Sequence, residues 1–397
     1  MLVLDRDITN LSGTPFAACS DSNNIYVIST APDFRIYNWN GQQTNTTVTT
    51  LSNPTGIVLA TAASAVVSYF SSNIDIINVQ TNQRTNITSG AAATFAQFSG
   101  QQLAVSQASK VAIATRTGTG GVTKINVTTQ ALSTLSPSSL SGISSTCVIY
   151  NPDRDSFIVG TNSGKITEID INGNVIKSFN IPNSPNVTSP TVTITGLSYY
   201  NNILVCTTAH GLMYFYNYAT LALNYISLCP PRSGSGPVTT SLCDSASGLT
   251  LMAKSGTVAG RGTGVSEIYF NTPTPTIQTI FSDTITSPIS VGIQASLNKA
   301  YVLFENSTAN KVQLRIFTLT SPQITTETTR SQDPFGVDVA ARILRLRDDS
   351  IGTAFVEIDQ SVSSGTQSVN CTNDHSYIEV GYISGSPGRW DIREFQA

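Results

Sequence analysis

Charge is what this 397-residue chain lacks most: Asp, Glu, Lys and Arg make up 11% of it, 21 basic against 24 acidic residues. That is less than half the ~25% usual in soluble domains. With no basic face to neutralise phosphates, nucleic acid is not an expected partner. Histidine is scarcer still, and neither His210 nor His375 sits at metal-ligand spacing, so no metal site is expected and both read as turn residues. The GxSxG elbow of serine hydrolases is absent. The six cysteines show no metal or redox spacing. Cys19, Cys147 and Cys206 fall in strand patterns as small hydrophobes, and Cys371 stands alone in a polar segment. Cys229 and Cys243 flank the loop PPRSGSGP, a spacing open to a disulfide that the lack of a secretory signal disfavours. No apolar run approaches the ~20 residues of a membrane span. Asp5, Arg6 and Asp7 interrupt the place of a signal peptide's apolar core, so none is expected. The expected location is a virus particle, or alternatively the cytoplasm.

In place of charge stand Ser and Thr, about a quarter of the chain. Thr favours strands and Ser favours turns, and both wet a surface without charging it. Set among them is a unit that recurs seven times. Its paired apolar strands read IYVIST and FRIYNW, AVVSYF and IDIINV, KVAIATR and GVTKINV, SFIVGT and KITEID, ILVCTT and LMYFYNY, LTLMAK and GVSEIYF, and AYVLFE and VQLRIF. Successive units start roughly 40 to 50 residues apart, the period of a β-propeller blade of four short strands. Apolar runs replace strict alternation because both faces of each blade are covered by neighbours. Asn40-Gly41 and Asn172-Gly173 occupy the same place in their units and predict type I′ hairpin turns.

The residues Ile25-Tyr26-Val27-Ile28, Ala300-Tyr301-Val302-Leu303 and Gly160-Thr161-Asn162-Ser163-Gly164-Lys165 resemble propellers of the YVTN and WD40-like kind. The likeness spans roughly residues 15–329 as a strand pattern. Trp-Asp is missing from the strand ends, where only Trp39 stands, followed by Asn40. The resemblance implies architecture and carries no functional residues across. The expected fold is all-β: a seven-bladed propeller over 1–329 with a C-terminal β extension over 330–397. The alternative is eight blades, the last starting at Arg342 and closed by the N-terminal strand LVLDRDI.

The last 68 residues hold 16 of the 45 charged residues. All six cations there are Arg, among them Arg342, Arg345, Arg347, Arg389 and Arg393, with Trp390 beside the last two. Strands are expected at Arg342–Arg347, Thr353–Asp359, Tyr377–Ile383 and Trp390–Phe395. Arg and aromatic residues are enriched at protein interfaces, which makes these positions the candidate docking surface.

Other candidates have simpler readings. Gly260, Gly262 and Gly264 suggest a phosphate loop, but a strand rather than a helix follows, and Gly118, Gly120 and Gly121 share the position; they are turn glycines. Asp170, Asn172 and Asn174 form a D-x-N-x-N run without the following glycine and Glu of a calcium loop. Glu168, Asp170, Asp153 and Asp155 make the fourth unit the most acidic, and solvated strand ends account for them better than paired-carboxylate catalysis. Seven N-x-S/T sequons are what composition alone yields.

The expected function is that of a non-enzymatic structural or interaction subunit of a larger oligomeric assembly, most concretely a virion tail, hub, spike or baseplate component. Its partners are other protein subunits, with no cofactor and no membrane insertion. A glycan- or receptor-binding propeller is the alternative, with Tyr37, Trp39, Tyr214 and Tyr216 as stacking groups. A carboxylate-dependent hydrolase or lyase comes third.

Overall fold

The computed structural model describes residues 2–11, 15–29, 34–45, 54–69, 73–88, 101–117, 120–182, 193–209, 212–228, 240–246, 249–255, 263–269, 276–283, 287–306, 311–319, 323–332, 338–347, 370–373, 376–382 and 390–396. The chain divides into two compact units, Leu2–Leu319 and Thr320–Ala397.

In the first unit each of the seven repeats falls in its own four-stranded antiparallel sheet. Six sheets are simple meanders of strands consecutive in sequence. The last repeat supplies only three strands, Ser287–Gln294, Lys299–Asn306 and Lys311–Leu319, and the N-terminal strand Leu2–Leu11 pairs with Lys311–Leu319 to complete the sheet. The N-terminal strand is therefore not free to close an eighth blade at Arg342. Lys299 Nζ reaches Asp5 at 2.6 Å and Arg315 Nε reaches Asp7 at 3.1 Å, which fix the closing strand in register. The first strand of every sheet lies beside the first strand of the next, and that of the seventh returns to that of the first. The unit is an all-β propeller whose inner wall is this ring of strands.

The fourth sheet shows how the core forms. Its second strand, Ser156–Thr161, is buried along its whole length. On one face Cys147, Ile158 and Ile166 pack against Leu204, Cys206 and Tyr214 of the fifth sheet. On the other, Val148, Phe157, Val159 and Ile169 pack against Val111, Ile113 and Val122 of the third. Fully burying one such side chain contributes about 1.5–3 kcal/mol, so these two-sided contacts are the main source of stability. Gly160 lies at the closest approach: a Cβ there would stand 2.7 Å from Cys147 Sγ and 2.8 Å from Ile194 Cγ2.

The turns differ from expectation. Gly41 and Gly173 have φ of +78° and +88°, but their preceding Asn residues are not left-handed. Gly173 N–H donates to Asp170 O and Asp170 N–H to Asn174 O, each at 3.0 Å, and Asn38 to Gln42 repeats the pattern. These are three-residue loops with glycine at the left-handed position, not type I′ turns. The predicted equivalence of the two turns holds.

In the second unit the strand Gln323–Gln332 pairs with Asp338–Arg347, and Asn370–Asn373, Ser376–Tyr382 and Trp390–Gln396 form a three-stranded sheet. The division at Leu319 precedes the charge shift near residue 330, because Gln323–Gln332 is committed to the hairpin with Asp338–Arg347. Along the backbone Arg342, Arg345 and Arg347 lie opposite Thr328, Thr325 and Gln323. Arg393 lies opposite Glu379, and Trp390 opposite Tyr382. Arg389 and the expected strand Thr353–Asp359 lie outside the described residues.

Candidate functional site on the hairpin face of the fourth sheet

In a meander the first and third turns of a sheet project from the same end. The turn Pro152–Asp155 and the turn Ile171–Asn174 therefore share one face of the fourth sheet. That end gathers Asp153, Arg154, Asp155, Glu168 and Asp170.

Glu168 is not a solvated strand end. It is fully buried, and its Oε1 accepts from Asn151 Nδ2 at 2.9 Å and Ser156 Oγ at 2.5 Å. Its Oε2 accepts from the Tyr218 hydroxyl of the fifth sheet at 3.1 Å and lies 3.8 Å from Arg154 Nη1. Burial first, then the neighbouring Glu168 carboxylate, pushes the Tyr218 hydroxyl far up. Lys177 Nζ stands 4.7 Å over the Tyr218 ring and donates to Tyr218 O at 2.7 Å, holding the fourth sheet to the fifth. Desolvation, then repulsion from Arg154, lowers the Lys177 ammonium.

The aspartates are equally committed. Asp153 Oδ2 accepts from the Tyr199 hydroxyl at 2.5 Å, and burial together with that carboxylate raises Tyr199 to about 12. Asp155 Oδ1 accepts from Ser106 Oγ of the third sheet at 2.5 Å and from Tyr150 at 2.9 Å, and Ser109 bonds the same carboxylate. The Ser106 bond holds Asp155 below its ordinary range, against its partial burial. Partial burial works against Asp170 as well, but bonds from Asn174, Asn172 and Gly173 outweigh it and lower the carboxyl.

Asp170 also explains the D-x-N-x-N run. Its Oδ1 accepts from Asn172 N–H and Asn174 N–H, both at 2.8 Å. Asn38, Asn78, Asn126 and Asn217 do the same at the ends of the third strands of four other sheets. A polar side chain that satisfies the turn's own N–H groups is the common device. The signal was present in sequence as Asn or Asp closing FRIYN, NIDIIN, VTKIN, KITEID and LMYFYN. Among the described residues no cluster of three His, Cys, Asp or Glu side chains is placed to hold a metal ion.

A glycosidase pair needs two carboxyl groups free to meet a sugar, one of them kept protonated. Here Glu168 is enclosed by protein donors, while Asp155 and Asp170 are held ionised by theirs. The arrangement fastens adjacent sheets together.

The expected glycan contacts are corrected. Tyr37, Trp39, Tyr214 and Tyr216 are 2%, 5%, 0% and 3% exposed and belong to the cores between sheets, so they present no stacking face. Burial first, then the neighbouring Cys206, raises Tyr214 to about 12. The aromatic runs signalled packing. Cys243 is buried, and Cys229, the other half of the expected bridge, lies outside the described residues. Cys147 and Cys206 are buried, and burial pushes the Cys147 thiol up to about 12; Cys19 is half-buried. Gly120 and Gly121 adopt φ of +75° and +85° and serve a tight turn, as expected. Gly264 pairs within a strand. His210, His375, Gly118, Gly260 and Gly262 lie outside the described residues.

Sequence reasoning missed Gln101, whose side chain reaches the fifth and sixth sheets. It missed Asp75, fully buried beside Tyr69, Asn86 and Arg84. It also missed Asp244, raised to about 6 by burial while its Oδ2 accepts from Ile293 N–H at 2.8 Å.

No family model matches the chain, and no curated protein matches it. Among solved structures 1508 chains match. One belongs to a crystallised mitotic checkpoint complex, at 12% identity and a TM-score of 0.59, covering 80% of this chain and 92% of that one. Identity that low establishes the propeller fold and selects no activity.

Proposed function

We propose that this chain is a non-enzymatic interaction subunit of a larger protein assembly, and that the assembly is a virion, the chain forming part of a tail, hub, spike or baseplate. The observation that carries the first part is the state of the fourth sheet's carboxylates. Where chemistry was most plausible, each of them is tied to donors of its own or adjacent sheets. The propeller fold, consistent with a protein-interaction role, supports the same reading, as does a YVTN/WD40-like strand pattern. So does exposed apolar surface on adjacent sheets: Val175 and Ile176 on the outer strand of the fourth sheet, and Tyr200 and Leu223 on the fifth. The virion assignment rests on the uncharged Ser/Thr-rich composition.

The C-terminal unit, with Arg342, Arg345, Arg347 and Arg393 on its strands, is the proposed docking module. The propeller closes on its own first strand and needs nothing beyond Leu319 to complete its sheets. A chain ending at Leu319 is therefore expected to fold and to lose assembly. Assembly equal to that of the full chain would refute the docking role.

A further inference from the structure

We propose that Arg116 is the centre of an oxyanion-binding site on the third sheet, one that takes a carboxylate or phosphate group. Arg116 follows the second strand, Val111–Thr115, and is only 6% exposed. Its Nη1 donates to Thr134 Oγ1 at 2.8 Å, and Thr134 is an exposed residue of the outer strand Ala131–Leu135. Thr134 lies directly opposite Thr123 of the third strand, and Thr123 opposite Ala114, so Thr123 and Thr134 share the face that Arg116 reaches. Buried arginines are ordinarily matched by a carboxylate or fully hydrogen-bonded. Arg116 has no carboxylate within ion-pair reach among the described residues, and its Nε has no hydrogen-bond partner. The hydroxyl of Thr123, the cross-strand neighbour of Thr134, has none either.

A second observation concerns the same sheet. Six buried side-chain polar atoms among the described residues lack a partner, and four of them, on Gln102, Thr115, Arg116 and Thr123, belong to the third sheet or the residue leading into it. A fifth, on Ser139, lies in the short 3-10 turn Ser138–Leu140 that follows that sheet. Orphaned buried polar groups are uncommon and scattered in native proteins. Of the six, Arg116 Nε and the Thr123 hydroxyl belong to the face that carries Thr134 and form the donor set, whereas Gln102 and Thr115 face the other side of the sheet. Arginine's planar fork matches the two oxygens of a carboxylate or phosphate, and a threonine hydroxyl supplies a further donor. Desolvation, which lowers the Arg116 guanidinium, adds to the gain from pairing it. The inference stands apart from the assembly role, which survives if it fails.

The test is a titration of the full-length protein with sodium phosphate and, separately, sodium acetate, at constant ionic strength held with chloride. Two readouts are followed: the melting temperature, and the NMR resonance of the arginine Nε–H group assigned through its loss in Arg116→Lys. A saturable shift of the Arg116 resonance, with a rise in melting temperature that Arg116→Gln abolishes, supports the site. Response to phosphate alone or acetate alone supports it and names the source. An Arg116 resonance that moves with neither anion, or an equal melting rise in Arg116→Gln, overturns it. The resonance titration decides the matter on the native chain even where Arg116→Gln does not fold.

Discussion

The side-chain amide of Gln101 pairs with the backbone of Leu197 in both directions. Gln101 Nε2 donates to Leu197 O at 2.8 Å, and Leu197 N–H donates to Gln101 Oε1 at 2.7 Å. The same Nε2 reaches Cys243 O at 2.6 Å, and Gln101 O accepts from Val148 N–H at 2.8 Å. One residue at the inner wall of the third sheet thus joins the inner strands of the fourth, fifth and sixth.

Gln101→Ala leaves Leu197 N–H and two carbonyl groups without their partner. Water can reach this half-buried position, so the expected cost is about 1–2 kcal/mol, read from urea unfolding midpoints. Gln101→Glu sets a carboxylate against two carbonyl oxygens and should cost more at pH 7 than at pH 4, where protonation restores a donor. Equal stability of the two variants at both pH values would show that the amide is not the pin.

Glu168→Ala is expected to destabilise by roughly 3 kcal/mol, because Asn151, Ser156 and Tyr218 lose their acceptor in a fully buried site. Tyr218→Phe removes one of these bonds and should cost about 1 kcal/mol. Denaturant midpoints read both, and a Glu168→Ala cost no larger than that of Tyr218→Phe would contradict the network.

The strand pairs, the period and the N-terminal segment's capacity to close a blade were legible in sequence, because a four-stranded repeat imprints apolar runs at regular intervals. Burial of individual residues was not. Glu168 looked like a strand end because its donors Ser156 and Asn151 are ordinary residues of the second and first strands of its sheet, and Tyr218 lies 50 positions away. Tyr37 and Tyr214 looked like binding aromatics because a run of tyrosines reads alike whether it faces a ligand or the next sheet. The pairing partner of Leu2–Leu11 was also misplaced in the eight-blade alternative, since ring closure depends on which distant edge remains open.

Asp244 carries a pH dependence whose sign is opposite to that of most carboxylates. Burial, partly offset by bonds from Ile293 and Ser245 N–H, raises it to about 6 from an ordinary value near 3.8. Between those values the folded chain binds more protons than the unfolded one, so this contribution is full below about pH 4 and is lost as pH rises through 6. Two units correspond to at most roughly 3 kcal/mol, an upper bound because the residue is only half-buried by exposure. Asp244→Asn should remove this slope. The difference in unfolding free energy between native protein and variant, measured from pH 4 to 7, checks it, and a difference independent of pH would refute it.

Asp170→Ala deletes the side chain that caps its turn and is expected to cost about 1 kcal/mol, whereas Asp170→Asn, which keeps the Oδ1 acceptor, should cost less. Thermal unfolding with calcium and with a chelator should coincide for the native chain. A calcium-dependent rise in melting temperature would restore the metal reading of this run.

The central claim is that the chain works as a subunit among other subunits. Native mass spectrometry of the full-length protein isolated from its source tests it most directly. The account predicts a mass well above that of one 42.1 kDa chain, made of further copies or of other structural proteins in fixed ratio. A species of 42.1 kDa alone, with nothing accompanying it, would contradict the account.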